Sequence, residues 1–158
     1  MTTFGFKKSN KIGLFLAFLV GGILVFSCGK TEPSAPEDEQ IEAYITSKKL
    51  VVTEKTSSGL RFIRTAASTG AMAMVGQTVS VKYAGRLLSD AQFDAGTFSF
   101  RLGAGSVIKG FDEGIAKMKV GEKATLIFPS SIGYGTSGSG SIPANAPLLF
   151  DIEVISAR

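Results

Sequence analysis

From Gly59 to Arg158 the chain is written almost entirely in short alternating runs, and one stretch only carries a helical period. Val79, Val81 and Tyr83 alternate with Thr78, Ser80 and Lys82, and Phe98, Phe100 and Leu102 alternate with Ser99 and Arg101. Side chains that alternate this way place their apolar members on one face of a strand. Leu60 to Arg64, Lys123 to Phe128 and Leu148 to Ile155 add further β-rich runs, each bounded by turn residues. Against them stand Phe111, Ile115 and Met118 at i, i+4 and i+7, with Asp112 and Glu113 in the first turn and Gly121 beyond the end. An antiparallel sheet with one apolar face must cover it, and this helix is the element able to do so. The expected fold class is α+β, with one helix laid on one sheet.

The length, 158 residues, suits one domain with an appendage. No histidine is present, which removes the triads, proton shuttles and common zinc sites that depend on imidazole. The single cysteine, Cys28, can form neither an intramolecular disulfide nor a four-ligand structural zinc site. The net charge is +4, but Lys7, Lys8 and Lys11 precede any acid; from Cys28 onward 14 basic residues face 13 acidic ones. That balance offers phosphates no surplus, so nucleic acid is not expected as a partner.

Ile12 to Phe26 is uncharged and follows a basic head. Fifteen residues fall short of the roughly 20 that span a bilayer, and match the apolar core of a secretory signal. Val25-Phe26-Ser27-Cys28 then resembles a bacterial lipoprotein signal box. The resemblance implies a signal peptide over residues 1–27, lipid on Cys28 as the mature amino terminus, and a chain anchored to a membrane of the bacterial cell envelope. An uncleaved anchor helix with an incidental cysteine is the alternative. Residues 28–40 hold two prolines, four acids and no large apolar side chain, and are expected to be a disordered linker. The acidic run Glu37, Asp38, Glu39 is read as solvated linker, or else as a sorting signal. Residues 41–58 are expected to form a short helix on the domain's edge, built on Ile41, Tyr44 and Ile45, and a lead-in ending at the turn cluster Thr56 to Gly59.

Gly133, Gly135, Gly138 and Gly140 do not make a phosphate loop, because Pro143 and Pro147 follow them where a helix would have to begin. The ordered motifs are more informative: Val-Lys-Tyr-Ala-Gly at 81–85, Phe93-Asp94, Phe98 to Gly103, Val-Ile-Lys-Gly-Phe-Asp-Glu-Gly at 107–114, Met118 to Glu122, Tyr134-Gly135, Ile142-Pro143 and Leu149 to Val154. Together they resemble the FKBP-type peptidyl-prolyl cis-trans isomerases over residues 59–158. The resemblance implies a twisted antiparallel sheet of five to six strands wrapped around one short helix, with an apolar cleft that receives a proline ring. It implies proline-containing polypeptide clients, a role in the folding of exported proteins, no cofactor or metal, and a monomer. Tyr83, Phe93, Asp94, Phe98, Val107, Ile108, Tyr134, Ile142 and Phe150 fall where the family's pocket residues fall, and Phe111 stands where a tryptophan often forms the floor. Tyr83, Asp94, Ile108 and Tyr134 are expected to orient the substrate, and the others to bind it.

The residues suit that chemistry on physical grounds. Rotation about an imide breaks no σ bond, has a barrier of about 18–20 kcal/mol, and needs neither nucleophile nor metal. The twisted amide loses resonance and charge separation, so a dry aromatic cleft favours it over the planar form. Two other readings stay open at this stage: a module or chaperone that holds proline segments without turning them over, and a structural envelope lipoprotein. Strand aromatics are also ordinary core residues, and Phe100 and Phe128 are read as core.

Overall fold

A computed structural model describes residues 36–158; the expected signal peptide 1–27, Cys28 and the expected linker up to residue 35 lie outside the described residues. The elements run α1 (Glu37–Ser47), β1 (Glu54–Lys55), β2 (Arg61–Ala66), β3 (Thr78–Leu87), β4 (Gln92–Arg101), α2 (Lys109–Ile115), β5 (Lys123–Phe128), a 3-10 turn (Ser130–Ile132) and β6 (Leu148–Ala157). The strands form one six-stranded sheet in the order β1-β2-β5-β6-β3-β4, every neighbour antiparallel. The α+β expectation of five to six strands and a short helix matches this architecture.

Alternation along the strands sorts the sheet into two faces. Phe62, Val79, Val81, Leu126, Phe128, Leu148, Phe150, Ile152 and Val154 point to one face and pack with Phe111, Ile115 and Met118 from α2 and the turn after it. Ile63, Ile127 and Leu149, each one step out of phase, point to the other face and pack under Ile41 and Ile45 of α1. The first helix thus covers the second face of the sheet rather than an edge. It is anchored by position as well as by burial: Ile41 is fully buried and Ile45 nearly so.

Two boundaries differ from the sequence reading. The helix begins at Glu37, four residues inside the expected linker, because the three acids that looked like solvated linker make up its first turn, where the helix dipole favours them. Asp38 and the helix residue Glu42 pair with Arg61, a β2 side chain with no solvent exposure, at 2.8 and 2.7 Å. Nor does the folded unit start at Gly59: β1 pairs with β2 ahead of it. At the other end, α2 closes at Ile115 through the tighter bonds Lys117 N–H to Gly114 C=O and Met118 N–H to Ile115 C=O. Met118 remains fully buried although it has left the helix.

Candidate active site

Beside α2 the inner face opens into a cavity of about 380 Å³. Tyr83 comes from β3, Phe93, Asp94 and Phe98 from β4, and Gly105, Ser106, Val107 and Ile108 from the connection into α2. Phe111 of α2, Phe150 of β6 and Tyr134 from the loop after β5 complete the lining. The volume lies near the lower end of the ~300–1,000 Å³ common for small-ligand sites.

The floor is aromatic and buried. Phe111 and Phe150 are 3% and 4% exposed and meet edge to face at 5.2 Å between centroids. Tyr83 stands edge-on to Phe98 at 5.3 Å and to Phe111 at 5.9 Å, and Phe93 meets Phe150 at 5.6 Å. Behind the floor, Phe128 stacks on Phe150 at 5.7 Å. These offset and edge-to-face contacts fix the ring orientations as well as burying their area.

Placing both Phe93 and Asp94 on this cavity requires a break in the period of two. The β3–β4 pairing supplies it: Gly85 faces Asp94, Arg86 faces Gln92, and Phe93 is the extra residue of a bulge. Gly85 is small for the same reason, since a Cβ there would lie 2.6 Å from the Phe93 ring and 2.8 Å from that of Phe150. Gly96 sits opposite Tyr83 in the register, and a Cβ there would make only ordinary contact with the tyrosine ring at 3.7 Å.

The polar groups gather at the rim. The Tyr83 hydroxyl donates to Asp94 Oδ2 at 2.6 Å. That bond, with burial second, pushes the Tyr83 phenol up to about 12, so it stays a donor at neutral pH. Asp94 itself is exposed, so its carboxylate keeps water contact while it fixes the tyrosine. Ile108 caps α2, its carbonyl accepting from the N–H groups of Phe111 and Asp112. Among the described residues its own N–H has no acceptor, and Ile108 is one of the residues that line the cavity. Tyr134 is 36% exposed at the mouth. An aromatic floor with donors on its rim can hold an apolar ring and orient the carbonyls on either side of it.

A family model described as FKBP-type peptidyl-prolyl cis-trans isomerase matches residues 70–155, more than half of the chain. The chain belongs to this family. The peptidyl-prolyl cis-trans isomerase FKBP53 of Arabidopsis thaliana is 38% identical over 136 residues, covering 82% of this chain and 27% of that protein. FK506-binding protein 1 of Dictyostelium discoideum is 48% identical over 90 residues, 53% of this chain and 84% of that one. Among solved structures, FkpA from Escherichia coli aligns with a TM-score of 0.68 at 31% identity, covering 78% of this chain and 59% of FkpA. AtFKBP13 aligns at 0.62 with 36% identity, covering 66% and 97%. The chain thus spans about a quarter of the Arabidopsis relative and most of the small Dictyostelium one.

In this FKBP-type chain nine of the ten residues singled out for the pocket line one cavity. Ile142 does not. It is 7% exposed and packs into the inner core, at the end of a turn from Ser139 to Ile142 closed by reciprocal backbone bonds. Cys28, the expected lipidation site, lies outside the described residues. Gly105 and Ser106 line the cavity and were not singled out in the sequence. The available signal was Gly103 and Gly105 in so short a link between strand and helix; both have left-handed backbone, at φ +78° and +69°.

Proposed function

We propose that the chain catalyses cis-trans isomerisation of peptidyl-prolyl bonds in polypeptide clients. The observation that carries the proposal is the open cavity floored by Phe111 and Phe150, with the Tyr83–Asp94 pair, the Ile108 N–H and Tyr134 on its rim. A proline ring enters against the floor and leaves its water behind. The Ile108 N–H and the Tyr134 hydroxyl donate to carbonyls flanking the ring and hold the chain on both sides of the bond. The imide carbonyl turns beside Tyr83 and Asp94. Because the twisted imide is less polar than the planar one, the dry rings bind it better, and that difference lowers the barrier. The chemistry requires no cofactor.

The test is the refolding of a protein whose slow phase is limited by proline isomerisation, a step of tens to hundreds of seconds unaided. The expected result is that catalytic amounts of the chain shorten that phase. A higher yield with an unchanged slow phase means that the cleft holds proline segments without turning them over.

The proposal extends to location. The basic head, the apolar run Ile12 to Phe26 and Ser27-Cys28 support export and lipid attachment at Cys28, on a bacterial envelope where exported proteins fold. Several acyl chains on one residue anchor stably, each buried methylene contributing about 0.8 kcal/mol. The chain is proposed to act there as a monomer. Mass spectrometry of the native amino terminus is expected to find a lipidated Cys28 as the first residue; an intact Met1 or an unmodified Cys28 contradicts the anchor.

A further inference from the structure

The loop that carries Tyr134 is held from behind by α1. Ser130, 5% exposed, donates both its N–H and its hydroxyl to the two carboxylate oxygens of Glu37, at 2.5 and 2.7 Å. The carbonyl of Ser130 in turn accepts from the N–H groups of Gly133 and Gly135, both at 2.8 Å, so the two residues that bracket Tyr134 hang from Ser130. Glu37 precedes Ile41 and Ile45 by one and two helical steps of four, on the stripe of α1 that faces the sheet. Its neighbours Asp38 and Glu42 turn instead to Arg61. The far end of the helix is fixed by Tyr44 and Lys48, which donate to Asp90 at 2.7 and 2.5 Å. The helix cannot slide and carry Glu37 away from Ser130 without breaking those bonds and exposing two isoleucines.

We propose that Glu37 is a positioning residue for the cleft: through Ser130 it fixes the loop that presents Tyr134 to the substrate. A nearly buried N–H and hydroxyl lose their acceptors when this carboxylate is removed, and the loop is then free to exchange them for water. The catalytic consequence rests on the isomerase reading; the mechanical coupling does not.

The test uses the full chain with Glu37→Ala and Glu37→Gln, read by amide hydrogen exchange and by isomerisation of a Leu-Pro peptide. Glu37→Ala is expected to raise exchange at Gly133 and Gly135 while leaving the β5 amides unchanged. It is expected to lower kcat/KM about fivefold, mainly through KM, because a displaced binding group weakens orientation. Glu37→Gln, which keeps an oxygen and a donor in place, is expected to restore both readouts to within about twofold. In a Tyr134→Phe background the further loss from Glu37→Ala is expected to fall below about twofold, since the two act as one unit. Unchanged exchange at Gly133 and Gly135, a rise spread equally over β5, equal losses in the two backgrounds, or a Gln variant as impaired as Ala each overturns the proposal. A wild-type chain with no effect on the peptide sinks the isomerase reading and, with it, the catalytic part of the role; the amide-exchange comparison then decides the coupling on its own.

Discussion

Tyr83 is the residue on which floor and rim meet: its ring is part of the aromatic wall and its hydroxyl holds Asp94. Tyr83→Phe keeps the ring and removes the bond. At a partly exposed site such a bond is worth about 1 kcal/mol to the fold, so the melting temperature is expected to fall by a few degrees, and kcat/KM in a peptide isomerisation assay is expected to fall about fivefold as Asp94 loses the group that fixes it. The same bond sets an alkaline limit. With the phenol raised from 10.0 to about 12 in the folded chain, its stabilising contribution is fully present below pH 10 and is lost as pH climbs toward 12. Tyr44, raised to about 12 by burial first and its bond to Asp90 second, behaves alike. An absorbance titration is expected to leave both phenols mostly protonated midway between those two values. In Tyr83→Phe one of those protected phenols is missing. Ionisation of both at their ordinary value contradicts the assignment.

The floor exists because α2 can approach the sheet closely. A Cβ on Gly110 would lie 2.6 Å from the Phe128 ring, and one on Gly114 would lie 2.1 Å from Leu126, two fully buried side chains with little room to yield. Gly110→Ala gains about 1 kcal/mol of helix propensity but is expected to lose more by overpacking, about 1–3 kcal/mol, because Phe128 cannot move without disturbing Phe150. Chemical denaturation measures the net loss; a variant more stable than wild type shows that the helix sits farther out. At this scale much was legible in the sequence, since Val79, Val81 and Tyr83 or Phe98 and Phe100 announce their face by alternation alone. The bulge at Phe93 was not legible, because a period of two cannot reveal where two strands fall out of register. Nor was the true start of α1: Glu37 to Glu39 have the composition of a linker, and only the partners Arg61 and Ser130, far along the chain, show why they are helical. Ile142, a pocket residue by its place among the motifs, is packed in the core cluster of Phe111 and Phe150 and is not part of the cavity lining.

As a whole the described residues form a sheet covered on both faces, the cleft beside one helix and the other helix bracing the loops from behind. A chain starting at Gly59 would uncover Ile63, Ile127 and Leu149 and forgo the burial of Ile41 and Ile45, each worth about 1.5–3 kcal/mol. A chain starting at Pro36 is expected to unfold at clearly higher denaturant than one starting at Gly59; equal midpoints contradict a structural role for α1. Acid should release the same helix. Hydrogen bonds from Arg61 hold the Asp38 and Glu42 carboxyls below their ordinary 3.8 and 4.5. Burial opposes the Arg61 charge, but bonds to Glu42 and Asp38 outweigh it and hold its pKa up. The stabilisation is therefore complete above pH 4.5 and fades as pH falls below 3.8, leaving a buried guanidinium without its counter-charges. Hydrogen exchange in α1 is expected to rise over that acid range before exchange in β5 does; simultaneous loss contradicts it. The central claim, that the aromatic cleft grips the imide best when it is twisted, is tested most directly by nuclear magnetic resonance on one Leu-Pro peptide, measuring its affinity for the chain and its cis-trans exchange rate together. The account expects weak saturable binding with exchange accelerated by orders of magnitude; saturable binding with the exchange rate unchanged would contradict it.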